Sequence, residues 1–172
     1  TFAEKEEIKA NQKRLSDLGA GSAGRQESIV RARKFLDAFD GDKTALEGFG
    51  FEVDGLSEEG RKDVADTGTT RAIANWFPGV YTAQGQFDQD LDAFSEEAAR
   101  AFLKASGETK VTDEDVKGAK RAVFGLGKDE VVNKRLLETF IRQQEAMQAE
   151  YEGLSGSAGN MGNMSDEDLL NF

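Results

Sequence analysis

Residues 87–105 read Phe-Asp-Gln-Asp-Leu-Asp-Ala-Phe-Ser-Glu-Glu-Ala-Ala-Arg-Ala-Phe-Leu-Lys-Ala, and this stretch decides the fold. Phe87, Leu91, Phe94, Ala98, Ala101, Phe102 and Ala105 recur at steps of three and four, with one step of one. That spacing lays them along one face of a 3.6-residue helix. Asp88, Asp90, Asp92, Glu96 and Glu97 take the other face. Ser106-Gly107 closes the helix, because glycine ends helices more readily than it continues them.

Outward from this helix the same period returns. Thr112-Asp113-Glu114-Asp115 reads as an N-terminal capping box with Asp in the place of Glu. Val116, Ala119 and Val123 then face a core, and Phe124-Gly125-Leu126-Gly127 turns the chain. From about 129 to 152 a long helix carries Val132, Leu136, Phe140, Met147 and Tyr151 on one stripe, widened by Leu137 and Ile141. At 1.5 Å per residue it extends roughly 35 Å.

Toward the N-terminus, Ile29, Ala32, Leu36 and Phe39 define a helix from 22 to 39, which Asp40-Gly41-Asp42 ends. Phe49, Phe51 and Val53 alternate, which suits either a short extended piece or a loop that lays aromatics on the core. Ser57 caps a short helix toward Ala65, with Glu58 and Glu59 in its first turn. A second short helix is expected from 71 to 77, stopped by Pro78-Gly79. Residues 2–18 favour helix but carry only Phe2, Ile8, Leu15 and Leu18 as large apolar side chains, so this segment reads as an arm that needs a neighbour. The expected fold class is all-α: a small multi-helix orthogonal or hairpin bundle with a long C-terminal helix and flexible ends. Its expected parts are a charged helical arm with a Gly-rich hinge (1–24), a helical domain (25–152), and a Gly/Ser/Asn/Met linker with an acidic, apolar tip (153–172).

Composition narrows the chemistry. The 172 residues include 22 Lys and Arg against 33 Asp and Glu, a net charge of −11. Neither Cys nor His occurs. Disulfides, Cys/His zinc sites, cysteine nucleophiles and histidine bases therefore drop out together. The acidic balance disfavours broad contact with nucleic acid or anionic lipid. Basic clusters such as Lys9, Lys13, Arg14 and Arg31, Arg33, Lys34 are interleaved with acids, as on solvated helix faces. No apolar run approaches the length of a membrane span, and no signal-like segment opens the chain. The first residue, Thr1, suits either removal of an initiator Met or a trimmed chain.

Three motifs fail on context. Gly19-Ala20-Gly21-Ser22-Ala23-Gly24 matches a dinucleotide fingerprint, but a charged helical segment precedes it where a strand is required. The acid runs Asp40, Asp42, Thr44 and Asp88, Asp90, Asp92 lack the Gly and Glu of a calcium loop. With so many acids, some carboxylate pair is always close, but none is singled out for catalysis. The expectation is a protein that binds rather than catalyses, with no cofactor, metal or small-molecule ligand. Its partner-binding residues are Phe2, Ile8, Leu15 and Leu18 on the arm and Leu169, Leu170 and Phe172 on the tip. A sticky tip on a tether presents a docking peptide; the competing expectation is that it folds back or stays unstructured.

Residues 106–142 also carry a pattern. After "AFLKASG" come Thr112-Asp113-x-Asp115, Ala119, Ala122, Leu126, Asn133, Leu136, Phe140 and Ile141. This resembles a helical module of tailed-phage and prophage proteins carried inside virions, including DNA-ejection and tape-measure-like proteins. The resemblance covers about a third of the chain. It implies a non-enzymatic virion component, assembled in the host cytoplasm with other virion proteins or copies of itself, without sequence-specific contact to nucleic acid. The other class the sequence allows is an acidic helical adaptor or regulatory module that binds a basic partner protein.

Overall fold

The structure is a computed structural model that describes the backbone of residues 2–65, 67 and 80–162, and the side chains of 5–65, 67 and 83–156. Among the described residues the chain is all-α, with no strand. The helices are α1 (Phe2–Ala20), α2 (Ser22–Phe39), α3 (Lys43–Gly48), α4 (Glu58–Lys62), α5 (Val80–Ala105), α6 (Asp113–Ala119) and α7 (Glu130–Gly162). The helix expected over 71–77 lies outside the described residues.

Two compact units share the chain: residues 31–140, and residues 1–30 together with 141–172. This division differs from one drawn along the sequence at 24 and 152, because packing joins segments remote in sequence.

The unit of residues 31–140 is organised by phenylalanines. Phe35, Phe39, Phe87, Phe94 and Phe124 are fully buried. Phe87 meets Phe35, Phe39, Phe49 and Phe51 mostly edge to face, with ring centroids 4.9–5.8 Å apart. Phe94 stacks on Phe35 at 5.9 Å and meets Phe124 at 4.8 Å and Phe140 at 5.6 Å. Edge-to-face rings set a positive rim against a negative face, worth about 0.5–1.5 kcal/mol per pair beyond the area buried. The alternating Phe49, Phe51 and Val53 form a loop with all three side chains buried, and no ladder. The preceding α3 has few apolar residues to announce it; it begins where the Asp42 carboxylate accepts from the Ala45 amide at 2.8 Å.

Helix ends follow local chemistry. After α2, Gly41 sits at φ +76° and the Asp42 amide reaches back to Asp37 O at 2.9 Å, a Schellman closure. After α5, Gly107 at φ +92° closes the helix likewise, with the Glu108 amide on Leu103 O at 3.2 Å. Ser57 caps α4 through the Gly60 amide at 3.1 Å, although α4 stops at Lys62, short of Ala65. The Thr112 capping box forms as expected: the Thr112 hydroxyl accepts from the Asp115 amide, and the Asp115 carboxylate accepts from the Thr112 amide.

Two helical stripes differ from expectation. On α5, burial covers Ala83, Phe87, Leu91, Phe94, Ala98 and Ala99, but Ala101, Phe102 and Ala105 in the last turn are exposed. On α7, Val132 and Met147 are exposed and the buried line runs Asn133, Leu137, Ile141. The helix is rotated so that Asn133, not Val132, faces inward.

The other unit pairs the end of α1 and the start of α2 with residues of α7. Gly21 alone forms the break, and Ser22 to Gly24 are already helical. The Ser22 hydroxyl donates to Gln148 Oε1 at 3.0 Å, and Arg14 pairs with Glu150. Gly19 lies where a Cβ would come within 3.2 Å of the Tyr151 ring, so the two helices approach closely there. The Arg25 guanidinium donates to Leu18 O, an otherwise free carbonyl at the end of α1. Backbone helix continues through 153–162, where the sequence suggests a linker. Extending an existing helix adds a bond per residue without a new nucleation step.

Candidate protein–protein interface

Three of the expected partner-binding residues, Ile8, Leu15 and Leu18, have described side chains. On α1, residues 5–14 are exposed throughout, and Ile8 is 46% accessible. Leu15 and Leu18 are half-buried. At 100° per residue Ile8, Leu15 and Leu18 fall on one stripe. The Phe2 side chain, and Leu169, Leu170 and Phe172, lie outside the described residues. Lys5, Lys9 and Lys13 follow one another at four-residue steps along the arm.

A second surface, not expected from the sequence, lies where α5 ends and α6 packs against it. Ala99, Val116 and Ala119 form a small buried cluster, with Leu103, Val111 and Val123 partly buried on it. Phe102 is 50% accessible. Its helical angle puts it about 60° from Ala99, beside that cluster rather than opposite it. Lys104, Lys110, Lys117 and Arg121 flank the cluster in sequence and are exposed. None of the four has an ion-pair partner among the described residues. Nearby charges are otherwise engaged: Arg100 bridges Glu96 and Asp113, and Lys120 pairs with Asp92. The Lys128 ammonium donates to Lys120 O at 3.0 Å, and burial together with the adjacent Lys120 charge lowers its pKa.

Behind this surface stands a buried polar hub that the sequence reading missed. Asn133 Oδ1 accepts from the Gly125 amide at 2.8 Å, while its Nδ2 donates to Thr67 Oγ1 at 2.9 Å and Gly125 O at 3.1 Å. Thr67 in turn donates to Lys128 O at 2.9 Å. One side chain thereby fixes the 124–128 turn and residue 67 to the start of α7. The signal available was an Asn four residues before Leu137 and eight before Ile141, on their stripe.

Acidic faces are paired in the same unit. Arg31 holds Glu97 with two bonds of 3.0–3.1 Å while its guanidinium lies 4.8 Å from the Phe94 ring centre. Lys134 bridges Asp40 at 2.7 Å and Glu130 at 2.6 Å. Burial alone would lower the Lys134 pKa, but these two carboxylates outweigh it and raise it. Among the described residues no group of acids is placed to hold a metal ion, and no helix is long and apolar enough to cross a membrane. No protein-family model, curated protein or solved structure matches the chain.

Proposed function

We propose that the protein is a non-enzymatic assembly subunit that joins other proteins or copies of itself through exposed helix faces and its termini. The exposed arm carries this reading. An isolated helix of about 12–15 residues is marginal in water, and tertiary packing normally sustains it. Residues 5–14 of α1 are helical yet bury no side chain within the chain, so a partner that covers Ile8 and Leu15 would supply the missing support.

The resemblance of residues 106–142 to internal virion proteins of tailed phages gives this role a setting: an internal, DNA-ejection or tail-associated component of a bacteriophage virion. The absence of cysteine fits such a role, since no cross-link would oppose passage through a narrow tube. The deciding experiment is purification of assembled particles followed by quantitative mass spectrometry. A fixed copy number per particle, with residues 2–18 protected from protease there and cleaved in free protein, is expected. A chain that never enters a particle and stays monomeric at high concentration refutes the role.

The net charge of −11 favours a second reading, an acidic adaptor for a basic partner. Such binding weakens steeply with salt, whereas burial of Ile8 and Leu15 does not.

A further inference from the structure

We propose that Asp54 is a site of spontaneous covalent modification: in the folded chain the Asp54–Gly55 linkage isomerises to isoaspartate, while the fold holds the other Asp-Gly pair, Asp40–Gly41, against the same reaction. The inference is independent of the assembly role above.

The sequence holds two Asp-Gly pairs and no Asn-Gly pair. In such a pair the backbone nitrogen of the glycine attacks the side-chain carboxyl carbon of the aspartate, and glycine has no side chain to obstruct the approach. A bond forms between that nitrogen and Cγ. A carboxyl oxygen leaves as water, taking the amide proton and a proton from solvent, and a succinimide ring results. Water then returns at either ring carbonyl. Opening at Cγ restores aspartate, whereas opening at the former backbone carbonyl leaves the chain running through Cβ and Cγ with a free α-carboxylate. The water lost is regained, nothing is oxidised or reduced, and no cofactor takes part.

The fold controls whether the backbone can turn far enough for the attack. At Asp40–Gly41 several contacts oppose it. The Gly41 amide donates to Ala38 O at 3.1 Å and the Asp40 amide to Leu36 O at 3.0 Å. Arg61 Nε donates to Gly41 O at 2.9 Å, and Lys134 holds the Asp40 carboxylate at 2.7 Å. A Cβ on Gly41 would lie 3.0 Å from the Lys62 backbone nitrogen, so this pair is also packed against α4.

Asp54–Gly55 lies in the opposite condition. The two residues form the centre of a turn closed by the Leu56 amide on Val53 O at 3.1 Å, with Gly55 at φ +83°. Both are exposed, and the Gly55 amide has no hydrogen-bond partner among the described residues. A Cβ on Gly55 would meet nothing within 4 Å. Lys43 pairs with the Asp54 carboxylate at 2.6 Å, but with the two side chains 52% and 88% accessible the pair is weak and does not hold the backbone. Rotation of this peptide breaks the single backbone bond that closes the turn, and such an exposed turn opens more readily than a packed helix end. The product lengthens the main chain by one methylene directly after Val53, whose side chain is buried.

The test ages the full-length protein in warm neutral buffer, folded and in urea. Peptide mapping with electron-transfer fragmentation then reads the linkage at both positions, since the two forms have equal mass. In the folded chain isoaspartate at 54 should exceed that at 40 by about tenfold or more, as the difference in local opening requires. In urea the two should form at comparable rates. D54E keeps the charge but would have to close a larger ring, which forms poorly. It should remove most of the methyl transfer that an isoaspartyl methyltransferase makes to aged folded protein, with circular dichroism unchanged. Equal rates at 40 and 54 in the folded chain overturn the proposal. So does folded protein that forms no isoaspartate at 54 while the chain in urea does, because the turn then protects the bond. A preference for 54 as large in urea as in the folded chain overturns it by placing the selectivity in the sequence, and undiminished methyl transfer to aged D54E overturns it by placing the site elsewhere.

Discussion

At the scale of single residues, Asn133 has the largest expected effect per atom changed. Its side chain satisfies the Gly125 amide and carbonyl and the Thr67 hydroxyl in a buried place. Asn133→Ala takes this partner from the Gly125 amide and carbonyl, while the Thr67 hydroxyl keeps its bond to Lys128 O, and an unsatisfied buried polar group costs about 1–3 kcal/mol. Urea unfolding should show a midpoint shift of that size with an unchanged slope. Asn133→Asp tests the same hub by charge: a carboxylate replaces the two-bond donor Nδ2 and should be at least as damaging near neutral pH. Asp37 offers a gain. Burial, then the neighbouring Asp42 and Asp40, raise its carboxyl pKa, and it sits near the C-terminus of α2, where the helix dipole also disfavours an anion. With a raised value the folded state holds its proton to higher pH than the unfolded chain does. Stability therefore falls as pH rises through the interval between the two values. Asp37→Asn should then stabilise by about 0.3–0.5 kcal/mol at neutral pH, a small figure because the side chain is largely solvated. The gain should vanish below the unfolded carboxyl value, which paired thermal melts at neutral and strongly acidic pH would show.

At the scale of elements, α5 and α7 show how far periodicity reaches. Helical spacing identified both elements, and Phe87, Leu91, Phe94 and Ala98 are buried as that spacing requires. It did not show that Phe102 would emerge from the core, because a stripe continues as long as the residues do, while its cover ends where the neighbouring element ends. Nor did it settle the rotation of α7, because Val132, Asn133, Leu136 and Leu137 allow more than one inward line. The hub at Asn133 selects among them. Phe94→Ala should cost about 3–5 kcal/mol, as truncation of a buried ring leaves a cavity among Phe35, Phe124 and Phe140. A subtler test concerns the contact of the 124–128 turn with α5. A Cβ on Gly125 would meet Ser95 Oγ at 2.9 Å, and that buried hydroxyl has no hydrogen-bond partner among the described residues. Gly125→Ala should destabilise by about 1–3 kcal/mol through overpacking. Ser95→Ala should be close to neutral, and the double variant should lose less than the sum of the two.

At the scale of the molecule, stability should be uneven. Residues 5–14 of α1 have no buried side chain, and α7 beyond Glu152 passes through Gly153, Gly156, Gly159 and Gly162, each of which costs a helix about 1 kcal/mol relative to Ala. Amide exchange should therefore be fast in 5–14 and 153–162 and slow around 87–99 and 133–141, where the buried phenylalanines and the Asn133 hub lie. Equal protection along the whole of α7 would show that the terminal turns are supported by more than backbone bonds.

The sequence by itself determined the secondary structure class, the long last helix and most helix ends, because these depend on neighbours within four residues: apolar spacing, a Thr112 cap, a Gly41 or Gly107 stop. It also determined which chemistries are missing, since composition does not depend on folding. What the tertiary structure alone decided was which way each helix faces and which cations remain without a counter-charge. Those outcomes depend on elements far apart in the chain meeting at particular angles, and the local pattern around Phe102, Asn133 or Lys117 carries no record of what comes to lie against it.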